Sequence, residues 1–128
     1  MISLSSDQYE FVYFFYYLLD TIEEGFDYII ESYISLEHSE AEVILNDIFL
    51  AFYHIDSSNP ILLNLFDENP QLIETLQKFD GIISELEQKL TIFGNIHQNK
   101  DYIINIFFPD YLSWKESVQI QLKPHIAH

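Results

Sequence analysis

From Phe11 to Leu36 the chain repeats apolar residues at steps of three and four: Phe15, Leu18, Ile22, Phe26, Ile29, Tyr33 and Leu36. That spacing gathers side chains on one face of an α-helix. Asp20, Glu24, Asp27 and Glu31 fall on the opposite line and form a solvent face. A helix over this stretch is roughly 40 Å long at ~1.5 Å per residue. It cannot bury such a stripe alone, so the rest of the chain must bring matching apolar faces.

Three further segments carry them. Ser5 and Gln8 have capping-box spacing, with Asp7 in the first turn, so the first helix begins near Ser6. Gly25 lies on the flank of the apolar stripe, where a neighbouring helix can approach closely. Ser39 and Glu42 form a second capping box, with a turn at Glu37 to Ser39. The helix that follows points Ala41, Leu45, Ile48, Phe52 and Ile55 inward. Asp56, Ser57, Ser58, Asn59 and Pro60 are turn formers and predict its end. The apolar hexad Ile61 to Phe66 then reads as a short extra helix. Asn69 is a cap and Pro70 a first helical residue.

The third main helix has the most regular period: Leu72, Leu76, Phe79, Ile83, Leu86, Leu90 and Phe93. Glu74 with Lys78, and Glu85 with Lys89, occupy its outer face. Gly94 and Asn95 are its stop. Asn99 or Asp101 opens the fourth, whose stripe Ile103, Phe107, Tyr111, Trp114, Val118 and Leu122 runs through Pro109. That proline deprives the Asn105 carbonyl of its donor and predicts a kink. A break at Phe108 with a fresh helix from Pro109 is the competing reading. Pro124 closes the helix, and Pro124 to His128 frays. Period-two alternation is missing, so no strand is expected. Short connections make neighbouring helices antiparallel. The expected fold is all-α: one domain, residues 1–128, forming an antiparallel four-helix bundle. A short extra helix lies between its second and third helices, and a Pro kink in its fourth.

Charge narrows the function. The net charge is −16; there is no arginine, and all five lysines follow residue 77, whereas fifteen acids precede Lys78. Phosphate backbones and anionic membrane surfaces are recognised by clustered Lys and Arg, so neither nucleic acid nor membrane is an expected partner. The absence of cysteine removes disulfide and thiolate chemistry and fits a reducing compartment. The N-terminus lacks a basic signal-peptide region, and the apolar run Phe11 to Leu19 is about half a bilayer span. A cytoplasmic protein is expected.

Catalytic and cofactor motifs are missing. No histidine follows a Glu by three residues, as a bundle di-iron site demands, and no apolar stripe contains a carboxylate. His38, His54 and His97 are isolated, and His125 and His128 sit in a tail. Asp67, Glu68 and Asn69 lack the twelve-residue calcium-loop pattern. Phosphate-loop, nucleophile-elbow and zinc-protease patterns do not occur. No enzyme, metal or cofactor is expected.

The stretches LLDTIEEGFDYIIESYISLEHSEAEVILNDIFLAFYHI and FFPDYLSWKESVQIQLKPHI resemble a family of small acidic helical proteins from Gram-positive bacteria. In that family an L-x-E-G-x-x-Y-I helix pair precedes a C-terminal proline, Trp-Lys and L-K-P pattern. The family is uncharacterised, so the resemblance implies a helical fold and carries over no site residues. Trp114 falls in the core stripe, with Lys115 beside it at the rim.

Two classes of function remain open. The first is an interaction module that binds a basic protein, in the manner of an inhibitor, an immunity protein or a chaperone. Its candidate contact residues are Tyr13, Tyr17, Asp20, Glu24, Asp27 and Glu31. Tyr13 and Tyr17 share the acidic line, and two readings fit them: cover by the C-terminus or a loop, or an aromatic patch for a partner or a second copy. The alternative class is a binder of an apolar small molecule, held between helices opened at Pro109.

Overall fold

The computed structural model describes residues 3–35, 41–93 and 98–126, and among these it is helical with no strand. Helix α1 spans Ser6–Ser35. It starts where Ser5 and Gln8 exchange bonds: the Ser5 N–H donates to Gln8 Oε1 (2.9 Å) and the Gln8 N–H to Ser5 Oγ (3.2 Å). Helix α2 spans Ala41–Leu65, α3 Pro70–Gln77 and α4 Phe79–Phe93. Helix α5, Lys100–Tyr102, passes through a π-helical turn, Ile103–Phe107, into α6, Phe108–Ile126. The all-α bundle expected from the stripes is therefore present. The Ser39 cap, the Gly94–Asn95 stop and Leu36 lie outside the described residues.

Local punctuation was overridden in several places. Pro60 does not end the second helix, and Ile61 to Phe66 is not a separate extra helix; α2 runs through. The reason is that its inward period continues past the proline, burying Asn59, Leu62 and Phe66 after Ile55. Pro60 itself is exposed. The third helix, expected to be unbroken, is interrupted at Lys78. There the Thr75 carbonyl receives both the Lys78 N–H (3.2 Å) and the Trp114 indole N–H (2.7 Å). Asn69 caps α3 as expected, its Oδ1 accepting the Leu72 N–H at 3.1 Å. Pro109 does not break the fourth helix. The extra residue of the π turn, closed by the Phe108 N–H on the Ile103 carbonyl, absorbs the lost bond. Nor does Pro124 close α6. Ile126 is buried and its carbonyl accepts the Tyr9 hydroxyl (3.1 Å), while the His125 ring packs on Phe66 at 4.9 Å.

Cross-links between α1 and α6 fix their antiparallel pairing. Tyr9 meets Ile126, Gln119 Nε2 donates to the Tyr16 carbonyl (3.0 Å), Tyr111 Oη donates to the Leu19 carbonyl (2.9 Å), and Phe26 meets Phe107. The buried stripe of α1 is Val12, Phe15, Leu19, Ile22, Phe26 and Ile29. Leu18 and Tyr33, expected in it, sit half-buried at its edges. Phe26, Phe52, Phe79, Phe107, Tyr111 and Trp114 form one aromatic chain through the middle, with adjacent centroids 4.7–6.4 Å apart. Burial drives the Tyr111 hydroxyl well above its ordinary pKa, so at every ordinary pH it stays a donor to Leu19.

The glycines separate close approach from mere occupancy. A Cβ on Gly25 would lie 2.9 Å from Ile48 Cδ1 and 3.1 Å from Ile48 Cγ1, and Ile48 is buried. A Cβ on Gly81 meets nothing within 4 Å. Alanine gains ~1 kcal/mol over glycine inside a helix. Gly81→Ala should therefore raise stability by up to about that amount. Gly25→Ala should end below the parent protein, because Ile48 must move off its packing. Parallel urea titrations check the opposite signs, and a stabilising Gly25→Ala would contradict the close α1–α2 contact.

Candidate functional site

The exposed side of α1 carries an aromatic ladder. Tyr13 and Tyr17 are one helical turn apart, 47% and 46% exposed, with ring centroids 4.6 Å apart. Tyr9 continues the ladder at 6.1 Å from Tyr13, and Tyr16 packs edge-on to Tyr17 at 4.9 Å. The C-terminal helix reaches α1 at Tyr9 and leaves both Tyr13 and Tyr17 open, so the reading in which it covers them does not hold. Phe14 and Tyr28 add further exposed rings to this side. Glu24, Asp27 and Glu31 are exposed along the same helix. Partial burial and the neighbouring charges of Glu23 and Glu31 push the Asp27 carboxyl above its ordinary pKa. Such mutual repulsion is what an incoming cation relieves.

Asp20 behaves differently from its neighbours. It faces Lys115 of α6, whose Nζ is 2.8 Å from Asp20 Oδ1 and 3.0 Å from Glu23 Oε1. Gln119 Nε2 adds a donor at 3.0 Å. Partial burial pushes the Asp20 carboxyl up, but the bonds from Lys115 and Gln119 outweigh it and hold it below its ordinary range. Of the acids assigned to the solvent face, Asp20 thus fastens α1 to α6, whereas Glu24, Asp27 and Glu31 are exposed.

Phe107 and Phe108 lie 4.9 and 5.8 Å from the Phe26 ring, inside the aromatic core. A groove of about 590 Å³ lies between α2 and α4. The buried rings Phe52 and Phe79 form its floor, Phe49 and Tyr53 one wall, and Asp56, Asp80 and Glu87 supply carboxylates. Sequence reasoning missed it. Asp56 read as part of a helix stop and Asp80 was given no role; α2 and α4 bring the two to one groove. Among the described residues, no three His, Asp or Glu side chains are grouped to hold a metal ion, and no helix is long and apolar enough to cross a membrane.

Residues 10–117 match the family model described as a domain of unknown function, DUF8042. The chain is also 30% identical over 124 residues to the uncharacterized protein YvzG of Bacillus subtilis (strain 168), covering 97% of this chain and 98% of that protein. No solved structure matches it.

Proposed function

The chain belongs to the DUF8042 family, an uncharacterised bacterial family, and from that premise we propose that it is a non-enzymatic, acidic docking module for a basic protein. The observation that carries this is the exposed Tyr13–Tyr17 ladder continuing along α1 into Glu24, Asp27 and Glu31. Before Lys78 the chain holds fifteen acids and neither lysine nor arginine. Acids of one sign steer a basic partner and raise its association rate. Exposed tyrosine rings hold its Lys or Arg side chains by cation–π contact and add apolar area. An inhibitor or immunity protein for a basic toxin, or a chaperone for a basic client, takes this form. The lack of cysteine fits a reducing, cytoplasmic setting. The apolar-ligand reading has less support, since Phe107, two residues before Pro109, packs against Phe26 in the core.

The test is capture from the native bacterial lysate at low and high salt, with the retained protein identified. A basic protein held at low salt and released at high salt is the expected result. Exchanging Tyr13 and Tyr17 together for serine should weaken retention about tenfold, ~1.4 kcal/mol, mainly through faster dissociation. Exchanging Glu24, Asp27 and Glu31 for glutamine should instead slow association and flatten the salt dependence. Retention indifferent to salt, or no retention, overturns the proposal. A second copy of this chain is the competing occupant of the ladder; a concentration-dependent dimer in light scattering that Tyr13→Ser and Tyr17→Ser abolish would replace the basic partner.

A further inference from the structure

Helix α2 is apolar over a wider arc than its buried stripe needs. Phe52 is buried and Phe49 half-buried against the core, but Tyr53 is 70% and Leu50 63% exposed. Leu50 and Tyr53 lie three residues apart, on one side of the helix. Tyr53 is also a wall of the α2–α4 groove, so this exposed apolar side runs into the concavity. Its floor is Phe52 and Phe79, whose rings meet edge to face at 5.7 Å, and half-buried Ile83 stands on the α4 side. An apolar concavity of about 590 Å³ joined to an exposed apolar ridge marks a binding surface, where singly scattered apolar residues would not. The charge of the groove has one sign: Asp56, Asp80 and Glu87 line it, and no lysine or histidine does. Partial burial, a hydrogen bond with Asp56 and the Asp56 charge raise the Asp80 carboxyl above its ordinary pKa, a repulsion that a cation at the rim relieves.

We propose that this groove seats an amphipathic α-helix of a basic protein, with its apolar stripe on the aromatic floor and its flanking Lys or Arg side chains at Asp56, Asp80 and Glu87. The surface is separate from the Tyr13–Tyr17 ladder, and the proposal does not depend on the ladder being used. Both walls are α-helices, whose backbone groups are already paired, so the groove has no strand edge to offer an extended chain. An extended segment would lay unpaired N–H and C=O groups over apolar rings, whereas a helix pairs its own. The lining runs from Phe49 to Asp56 along α2 and from Phe79 to Glu87 along α4. Each wall is roughly 10–12 Å long at ~1.5 Å per residue, about two helical turns, which accepts side chains at i, i+3 or i+4, and i+7 of a docked helix. Charge sets the sign of the occupant and disfavours a second copy of this chain, whose net charge is −16.

The test is nuclear magnetic resonance on the isotope-labelled full chain, titrated with a synthetic peptide that carries a leucine stripe at helical spacing flanked by lysines. The backbone signals of Phe49, Tyr53, Ser84 and Glu87 should shift saturably, and the peptide should become helical on binding. A peptide of the same composition with its stripe scrambled should bind about tenfold more weakly, and one with glutamate in place of each lysine should not bind. Ser84 lines the groove from an exposed position, so Ser84→Trp fills the space and leaves the core alone. That variant and Tyr53→Ser should each weaken binding about tenfold. Asp80→Asn with Glu87→Gln should weaken it at low salt and flatten its salt dependence. Tyr13→Ser with Tyr17→Ser should leave it unchanged. Equal binding of the scrambled peptide, shifts spread evenly over every acidic residue, or indifference to both Ser84→Trp and Tyr53→Ser overturns the proposal. Displacement of the peptide by octanol would put an apolar small molecule in its place, and movement of the same signals with protein concentration alone would put a second copy there; either overturns it. If the Tyr13 and Tyr17 exchanges abolish binding while the groove variants do not, the peptide sits on the ladder: the groove assignment fails and the docking reading of α1 survives.

Discussion

Phe26→Ala should lower the unfolding free energy by about 3–5 kcal/mol, the range for removing a fully buried aromatic side chain. Phe26 is the ring on which the bundle converges. It meets Phe52 of α2 at 6.3 Å, Phe107 of the π turn at 4.9 Å, and Phe108 and Tyr111 of α6 at 5.8 and 6.4 Å. Truncation leaves a cavity bounded by three helical segments, and rings held by one another cannot all collapse into it. A domain of this kind has roughly 5–15 kcal/mol in total, so the variant sits near unfolding at ordinary temperature. Urea titration should show a lower midpoint at an unchanged slope. Phe14→Ala on the exposed side of the same helix is the control and should stay within about 0.5 kcal/mol of the parent. A loss below about 1 kcal/mol at Phe26 would mean that the aromatic chain through the core is not closed as described.

What could be read from sequence follows from how far apart the deciding residues lie. Phe15, Ile22, Phe26 and Ile29 announce their face by spacing alone, and so do Ile103, Phe107, Tyr111, Trp114, Val118 and Leu122 toward the C-terminus; all are buried. The Ser5–Gln8 box and the Asn69 cap involve partners three residues apart and were equally legible. Errors came where local chemistry and long-range packing compete. Asp56 to Pro60 is a turn by composition, yet burial of Leu62 and Phe66 carries the helix through it, since one lost backbone bond is small beside two apolar side chains. The interruption at Lys78 coincides with a bond from Trp114, 39 residues beyond Thr75, which no local period reveals. The same distance hid the groove, which Asp56 of α2 and Asp80 of α4 line together. Tyr13 and Tyr17 were located on the acidic side from spacing, but their openness depended on where α6 ends. The fate of Asp20 depended on Lys115, ninety-five positions away, whose pairing nothing in the α1 stretch foretells.

Lys115→Met tests that pairing, because methionine keeps the stem's packing and removes only the charge. Lys115 is 12% exposed and bridges Asp20 and Glu23, both about 40% exposed. Breaking a fully buried pair costs 3–5 kcal/mol; the open carboxylates reduce this, so a loss of about 2–3 kcal/mol is expected. The sign follows from what remains, two carboxylates at one seam in a chain of net charge −16. The loss should be largest at low salt and shrink as salt screens the freed acids. It should also narrow at both ends of the pH scale. The Asp20 carboxyl lies below its ordinary range when folded, so its contribution is complete above the unfolded value and is lost as pH falls through the folded one. Burial lowers the Lys115 pKa, but its bonds to Asp20 and Glu23 raise it more. Its contribution is therefore complete below the unfolded value and is lost as pH rises through the folded one. Urea titrations of parent and variant across pH should show the gap widest near neutrality. The same substitution in an Asp20→Asn background should lose distinctly less, since part of the attraction is already gone. A gap independent of pH and salt would mean that Lys115 acts by packing alone, and that the seam between α1 and α6 is held by Tyr111, Gln119 and the apolar stripe without an ionic contribution.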